Sequence, residues 1–282
     1  MLAEHATTVG PDAPRALVIR TAGTNCDAEL VHAFRMAGAD AEAIHLDRLI
    51  ERPSQVDQFD LIGFPGGFSY GDDIASGRIL AMKLREFLYP ALRDAAARGV
   101  PMIGVCNGFQ ALVQVGLLPG PRAGEPWPAD HAPDQRIALC ENIQGRFCDQ
   151  WVGIKVESKS PCLWTRHLAA DARVSDPDIM MLPVAHGEGR LVAASDSVLD
   201  ELEAHGQVVL RYTDNYNGSD RAIAGVCDPS GRIFGLMPHP ERYLDWTLHP
   251  YWTSLPEAKR EGTTPGLLFF KSAVEAVRGV HA

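Results

Sequence analysis

The stretch Val100-Pro101-Met102-Ile103-Gly104-Val105-Cys106-Asn107-Gly108-Phe109-Gln110 decides how the rest of the chain is read. Residues 102–105 form a short apolar run suited to a buried parallel strand. Residues 107–115 follow with helical spacing, Phe109, Leu112 and Val113 sharing one face. Between strand and helix, Gly104-Val105-Cys106-Asn107-Gly108 is a G-x-C-x-G form of the nucleophile elbow. A tight strand-to-helix turn lifts the central side chain above the sheet, and the flanking glycines relieve the crowded backbone. The helix N-terminus beneath Cys106 favours negative charge, which activates a thiol and stabilises an oxyanion. A buried cysteine of purely structural role also fits an apolar run. The neighbouring segments decide between the two.

Upstream, residues 16–19 read as a first buried strand. Asn25 is placed to cap a helix running to about Met36, stopped by Gly38. A second strand is expected at 41–46 and a third at 61–64, leading directly into Pro65-Gly66-Gly67. A long helix over 79–98 closes at Gly99. The elbow strand is then the fourth in a strand–helix alternation. This predicts an α/β fold: a doubly wound, mostly parallel sheet with helices on both faces. Ligands of such sheets bind at the carboxyl ends of the strands, where the Pro65-Gly66-Gly67 turn and the elbow both lie. Gly66 and Gly67 can offer bare backbone N–H groups to a developing oxyanion, with the Asn107 N–H as a further donor. Because glycine accepts both signs of φ, the Gly66–Gly67 peptide is expected to flip cheaply.

Downstream, five prolines fall within residues 119–133, so 119–136 is read as an exposed loop or insertion. Short strands follow at 137–140, 151–156, 179–184, 191–193, 208–212, 222–226 and 233–237, with helices at 197–205 and 266–278. The second half thus adds β-hairpins to the sheet. No linker separates it, which gives one domain over 15–282 preceded by a flexible extension at 1–14. Hydrophobic content of 46% and charged content of 22% suit a soluble globular chain. A net charge of −10 argues against nucleic acid as a partner. No apolar run approaches the roughly 20 residues of a membrane span, and 1–14 has no signal-peptide pattern, so a cytoplasmic location is expected.

Six cysteines (26, 106, 140, 148, 162 and 227) are scattered without a C-x-x-C pair, so no metal site is expected and all but Cys106 read as reduced packing residues. A cysteine nucleophile needs a base, and the base an orienting acceptor. Of ten histidines, two stand in His-x-Glu arrangements: His186-Gly187-Glu188 and His239-Pro240-Glu241. In extended backbone, residues two apart project to the same side. His239 follows the strand at 233–237 and is stiffened by Pro238 and Pro240, which suits a preorganised base with Glu241 as its acceptor. His186 reads as a residue on the substrate side.

The segments Cys106-Asn107-Gly108-Phe109-Gln110, Pro65-Gly66-Gly67 and His239-Pro240-Glu241-Arg242 resemble the three signatures of the class I (triad) glutamine amidotransferases, whose sheet is flavodoxin-like. Gly66-Gly67-Phe68-Ser69-Tyr70-Gly71-Asp72, Ala185-His186-Gly187-Glu188-Gly189-Arg190 and Asn217-Gly218-Ser219 make the chain similar, within that family, to the glutaminase subunits of phosphoribosylformylglycinamidine synthase. The resemblance runs from about Arg15 to Arg242. It implies a Cys106–His239–Glu241 triad, oxyanion donors at Gly67 and Asn107, and a glutamine pocket that includes Gln110 and the stretch beginning at Asn142. Gln144 departs from the family, where a small hydroxyl residue is common.

The activity implied is hydrolysis of L-glutamine to glutamate and ammonia with no cofactor in this subunit. ATP and Mg are expected on a large PurL-type synthetase subunit, with a small PurS-type subunit as further partner. The absence of a G-x-x-x-x-G-K-[ST] motif agrees with that division. A glutaminase serving a GMP- or CTP-forming synthetase is the alternative within the family. A non-catalytic redox or regulatory protein of this sheet architecture would have no need of His239-Pro240-Glu241.

Overall fold

The four apolar runs of the first half form β1 (Arg15–Arg20), β2 (Asp40–His45), β3 (Leu61–Phe64) and β4 (Met102–Val105). In this computed structural model, which describes residue 10 and residues 12–281, they pair in parallel in the order β2-β1-β3-β4. The extension expected at 1–14 lies, apart from 10 and 12–14, outside the described residues. β11 (Ile233–Leu236) joins β4, also in parallel, with Gly235 beside Gly104 and Leu236 beside Val105. Beyond it the sheet continues antiparallel through β10 (Ile223–Cys227), β9 (Val208–Tyr212), β6 (Cys148–Val156) and β7 (Met181–His186). Each antiparallel step reverses direction, so β7 and β9 run with the parallel strands and only β6 and β10 oppose them. β5 (Ile137–Glu141) and β8 (Glu188–Ala193) form a separate antiparallel ribbon.

Helices cover both faces. On one, α1 (Asp27–Met36) meets the C-terminal helix α8 (Pro265–His281) through an edge-to-face pair of Phe34 and Phe270, 5.4 Å between centroids, and Phe234 of β11 stacks on Phe269. On the other lies α5 (Asn107–Val115), reached by residues one step along the same strands. A Cβ at Gly104 would sit 2.6 Å from Leu112 Cδ1, and one at Gly235 would overlap the Phe109 ring. Two adjacent strands have thus given up side chains so that α5 can press against the sheet. That contact fixes where the helix begins, and therefore where Cys106 stands.

The uninterrupted helix expected at 79–98 is instead α3 (Arg78–Lys83), a π-helical turn at Leu84–Leu88, and α4 (Tyr89–Ala97). Pro90 lies in the first turn of α4, where its missing N–H costs nothing, and the wide turn before it absorbs the break in the hydrogen-bond ladder. Asn25 does not cap α1. Cys26 takes the N-cap position without a side-chain cap bond, and Asn25 Oδ1 accepts from its thiol at 3.3 Å. Two short helices had no clear sequence signal: α2 (Leu46–Glu51), capped by His45 Nδ1 accepting the Asp47 N–H, and α6 (Arg166–Ala170). With α7 (Asp196–Ala204) they complete the α-helices among the described residues, and short 3-10 turns join several of the elements.

The proline-rich stretch 119–136 has no regular structure, yet it is not a free loop. Gln207 Nε2–H donates to Pro119 O at 2.9 Å, Tyr89 O–H to His131 O at 3.2 Å, and Ala132 is buried. Proline removes N–H donors from the stretch, so side chains of the domain bond its carbonyls and strap it down. No helix among the described residues is long and apolar enough to cross a membrane.

Candidate active site

Cys106 carries the backbone strain expected of an elbow: φ 52°, ψ −108° in a residue that is not glycine. Such a conformation costs about 1–3 kcal/mol and persists only where its surroundings over-determine it. Here the Cys106 N–H donates to Leu236 O at 2.8 Å, and the Cys106 carbonyl accepts the Gln110 N–H at 3.0 Å. Strand pairing holds one side of the residue and the first helical turn the other. Gly108, two residues on, is obligatory, because a Cβ there would overlap the Phe64 carbonyl. The thiol is buried, with the Ala185 carbonyl of β7 as its 3.8 Å contact.

His239 and Glu241 arrive on the turn after β11. The His239 N–H donates to Pro183 O of β7 at 2.8 Å, which locks the backbone of the base. Nδ1–H of the ring donates to Glu241 Oε1 at 2.7 Å, both side chains being buried. Nε2 makes no well-aligned hydrogen bond and is the nitrogen left for chemistry, with the Cys106 and Cys26 thiols beside the ring. Burial works against a charged imidazole. The carboxylate of Glu241 and then the Cys106 thiol outweigh it, so His239 is held well above the ordinary histidine range.

The turn 65–67 closes the group from the β3 side. A Cβ on Gly66 would lie 2.6 Å from His239 Cε1, 3.3 Å from Cys26 Sγ and 3.4 Å from Cys106 Cβ, so nucleophile and base converge on one bare backbone position. The Gly66 carbonyl accepts the Cys26 N–H at 3.2 Å, and Phe68 N–H donates to Gly23 O at 2.9 Å. In a trans peptide the Gly67 N–H points opposite to the Gly66 carbonyl, hence away from Cys26. Gly67 itself has φ 137°, and a Cβ on it would sit 2.6 Å from Asn25 N. The free flip expected of this peptide therefore meets resistance, because turning it breaks the bond to Cys26.

The other residues picked from sequence take varied positions. The Asn107 side chain is fully engaged: Oδ1 accepts the Ser69 N–H at 3.3 Å, and Nδ2 donates to Asp72 Oδ1 at 3.0 Å and Gln110 Oε1 at 3.1 Å. Only its backbone N–H, in the first turn of α5, is left for a substrate. Gln110 Nε2–H donates to the Glu188 carbonyl, so this amide ties α5 to β8. Asn142 Nδ2 donates to Arg146 O and His186 O, both at 2.9 Å, and shapes a loop. His186 Nε2 pairs with Tyr216 O–H at 2.6 Å. Burial, then the nearby His239 charge, push His186 down to about 4, so it is a neutral neighbour at physiological pH. The Glu188 carboxylate accepts the Ser76 N–H at 3.3 Å and does not orient His186.

Cys26 escaped the sequence reading, which placed it among packing residues. Its Sγ, a His239 ring nitrogen and a Glu241 oxygen lie within 4.8 Å of one another. Within this group Arg242 Nη2–H donates to Cys26 Sγ at 3.1 Å and Glu241 Oε1 holds His239 Nδ1. No sequence spacing links positions 26 and 239. The one available hint was the position of Cys26 at the carboxyl end of the first strand.

The model of the CobB/CobQ-like glutamine amidotransferase domain matches residues 13–277. A Dehalococcoides mccartyi protein, phosphoribosylformylglycinamidine synthase subunit PurQ, is 40% identical over 277 residues, covering 94% of this chain and 98% of its own. The PurQ subunit of Methanococcus maripaludis is 37% identical over 284 residues, covering 93% and 97%. Among solved structures, a chain of PurLQS from Thermotoga maritima superimposes with a TM-score of 0.66 at 32% identity, covering 94% of this chain and 99% of that one. With an elbow cysteine, a buried His–Glu pair and this similarity over nearly its whole length, the chain belongs to the CobB/CobQ-like glutamine amidotransferases, in the branch of the PurQ subunits.

Proposed function

We propose that this chain is the glutaminase subunit of a phosphoribosylformylglycinamidine synthase, a single amidotransferase domain working in the cytoplasm. Cys106 gives its proton to His239 Nε2, and its Sγ attacks the side-chain amide carbon of L-glutamine. The oxyanion that forms is met by the backbone N–H groups of Gly67 and Asn107, the second reinforced by the α5 dipole. His239 Nε2–H protonates the departing nitrogen, ammonia leaves, and a γ-glutamyl thioester remains on Cys106. His239 then takes a proton from water, hydroxide attacks the thioester, and glutamate and the free thiol are released. Glu241 holds the ring and stabilises its protonated form. No group beyond these side chains is needed for this half-reaction.

The observation that supports this reading is the convergence at Gly66, where one imidazole and two cysteines from three separate loops meet over a glycine. The similarity to PurQ subunits supports the destination of the ammonia: a large PurL-type subunit binding ATP and Mg, together with a small PurS-type subunit. The test is amidine formation from formylglycinamide ribonucleotide by the reconstituted complex. Cys106→Ser should remove glutamine-dependent synthesis and leave ammonia-dependent synthesis intact. Loss of both, or of neither, rejects the assignment.

A further inference from the structure

Cys26 takes no part in the steps above, yet it bonds both the Gly66–Gly67 turn and the turn that carries His239 and Glu241. Its N–H holds the Gly66 carbonyl, and its own carbonyl accepts the Leu30 N–H at 3.1 Å, so α1 starts on it. Its thiol, 1% exposed, bonds Arg242 Nη2–H and Asn25 Oδ1. Arg242 ends the turn Pro240–Arg242 that carries Glu241. The same Nη2 also reaches Glu29 Oε1, 3.7 Å away at the half-exposed edge.

We propose that Cys26 is a positioning residue: its thiol anchors Arg242, and through it the Glu241 turn, against the Gly66–Gly67 peptide, keeping base, nucleophile and oxyanion donor in register. The inference rests on the glutaminase reading above. Without the sulfur, Arg242 relaxes toward Glu29 and solvent. A gap then opens where Gly66, His239 Cε1 and Cys106 Cβ meet. A displacement of the base by about 1 Å is enough to cost up to 10²-fold in rate. Serine keeps an acceptor for Arg242, with a shorter reach, whereas alanine keeps none.

The experiment compares Cys26→Ala, Cys26→Ser, Arg242→Gln and the Cys26→Ala/Arg242→Gln double variant in the purified complex, with thermal melts of each. Cys26→Ala and Arg242→Gln are each expected to lower kcat for glutamine about ten- to hundred-fold with KM within about three-fold of wild type. Cys26→Ser should recover to within about five-fold, and the double variant should be no worse than the poorer single one, since both cut the same contact. Losses that multiply in the double variant overturn the proposal. So does a Cys26→Ala enzyme within about two-fold of wild-type kcat, or a Cys26→Ser variant as poor as alanine. The glutaminase reading is checked separately by alkylating the wild-type chain with iodoacetamide and locating the adduct by mass spectrometry. If Cys106 is not the fast-reacting thiol, that reading fails, whatever the Cys26 series shows.

Discussion

Cys106 pays for its reactivity in backbone strain, and that strain can be measured. Alanine at 106 keeps the Cβ that φ 52° disfavours, while glycine removes it. Glycine is ordinarily the poorer residue by about 0.5–1 kcal/mol. Here Cys106→Gly should match or exceed Cys106→Ala in urea-denaturation stability, and the ordinary order would show the strain to be negligible. For the chemistry, His239→Asn should be nearly as damaging as Cys106→Ser, while Glu241→Gln should be milder because the acid orients without transferring a proton. If His186→Asn lowered kcat more than His239→Asn, the choice of base would be reversed. His186 has a separate signature. Its folded-state value near 4 lies below the ordinary 6.5, so between those values the unfolded chain binds more protons. Stability should therefore fall as pH drops from about 6.5 to 4, by at most on the order of 3 kcal/mol from this residue. His239 has the opposite sign: its proton adds stability below 6.5 that is lost as pH rises through its raised value. Denaturation at pH 7 and pH 4.5 should give a smaller pH difference in His186→Gln than in wild type. An equal difference in both would remove this residue from the account.

At the scale of elements, the parallel half of the sheet was legible because a strand buried on both faces leaves an unbroken apolar run, as at 61–64 and 102–105. The elbow was legible because its turn needs small residues at fixed positions. What tertiary contact determines could not be read in this way. The π-helical turn only shifts the phase between two short helical segments, and Pro90 is its one plain mark in the sequence. Gln110 lies in the family motif, yet its amide bonds the Glu188 carbonyl, a strand 78 positions away. Cys26 looked like packing because its partners are 40 and 216 positions distant. The packing of α5 makes its own prediction. Gly235→Ala would drive a methyl into the Phe109 ring and lift the helix that carries the elbow. Overpacking of this kind costs about 1–3 kcal/mol, and it should cost activity as well, because Cys106 moves with the helix. A variant with a lower Tm but unchanged kcat would show that the elbow is held by β11 pairing alone.

At the scale of the whole molecule, residues 68–78 connect the catalytic group to the surface. Asp72, at φ 52°, accepts from Asn107 Nδ2 and from the Gly77 N–H at 3.2 Å, and Gln114 Nε2–H donates to Ser76 O at 2.9 Å. The outer side of this stretch shows Ile74, 73% exposed, and Phe68, whose ring stacks on exposed Phe147 at 6.2 Å. A subunit whose ammonia is destined for a partner gains nothing from hydrolysing glutamine alone. Pressure on 68–78 reaches the first turn of α5 through Asn107 and the oxyanion turn through Phe68. The isolated chain is therefore expected to be a poor glutaminase, stimulated about ten-fold or more on joining its synthetase, within the 10²–10³ that one misaimed oxyanion donor costs. Asp72→Ala cannot test this, because Asp72 braces Asn107 from within and its loss would lower activity with or without a partner. Ile74→Asp can, since its side chain faces solvent. It should leave the weak basal rate unchanged and reduce the stimulation by raising the concentration of synthetase needed. Equal turnover with and without the partner would end the idea, and so would full stimulation of Ile74→Asp at the wild-type midpoint.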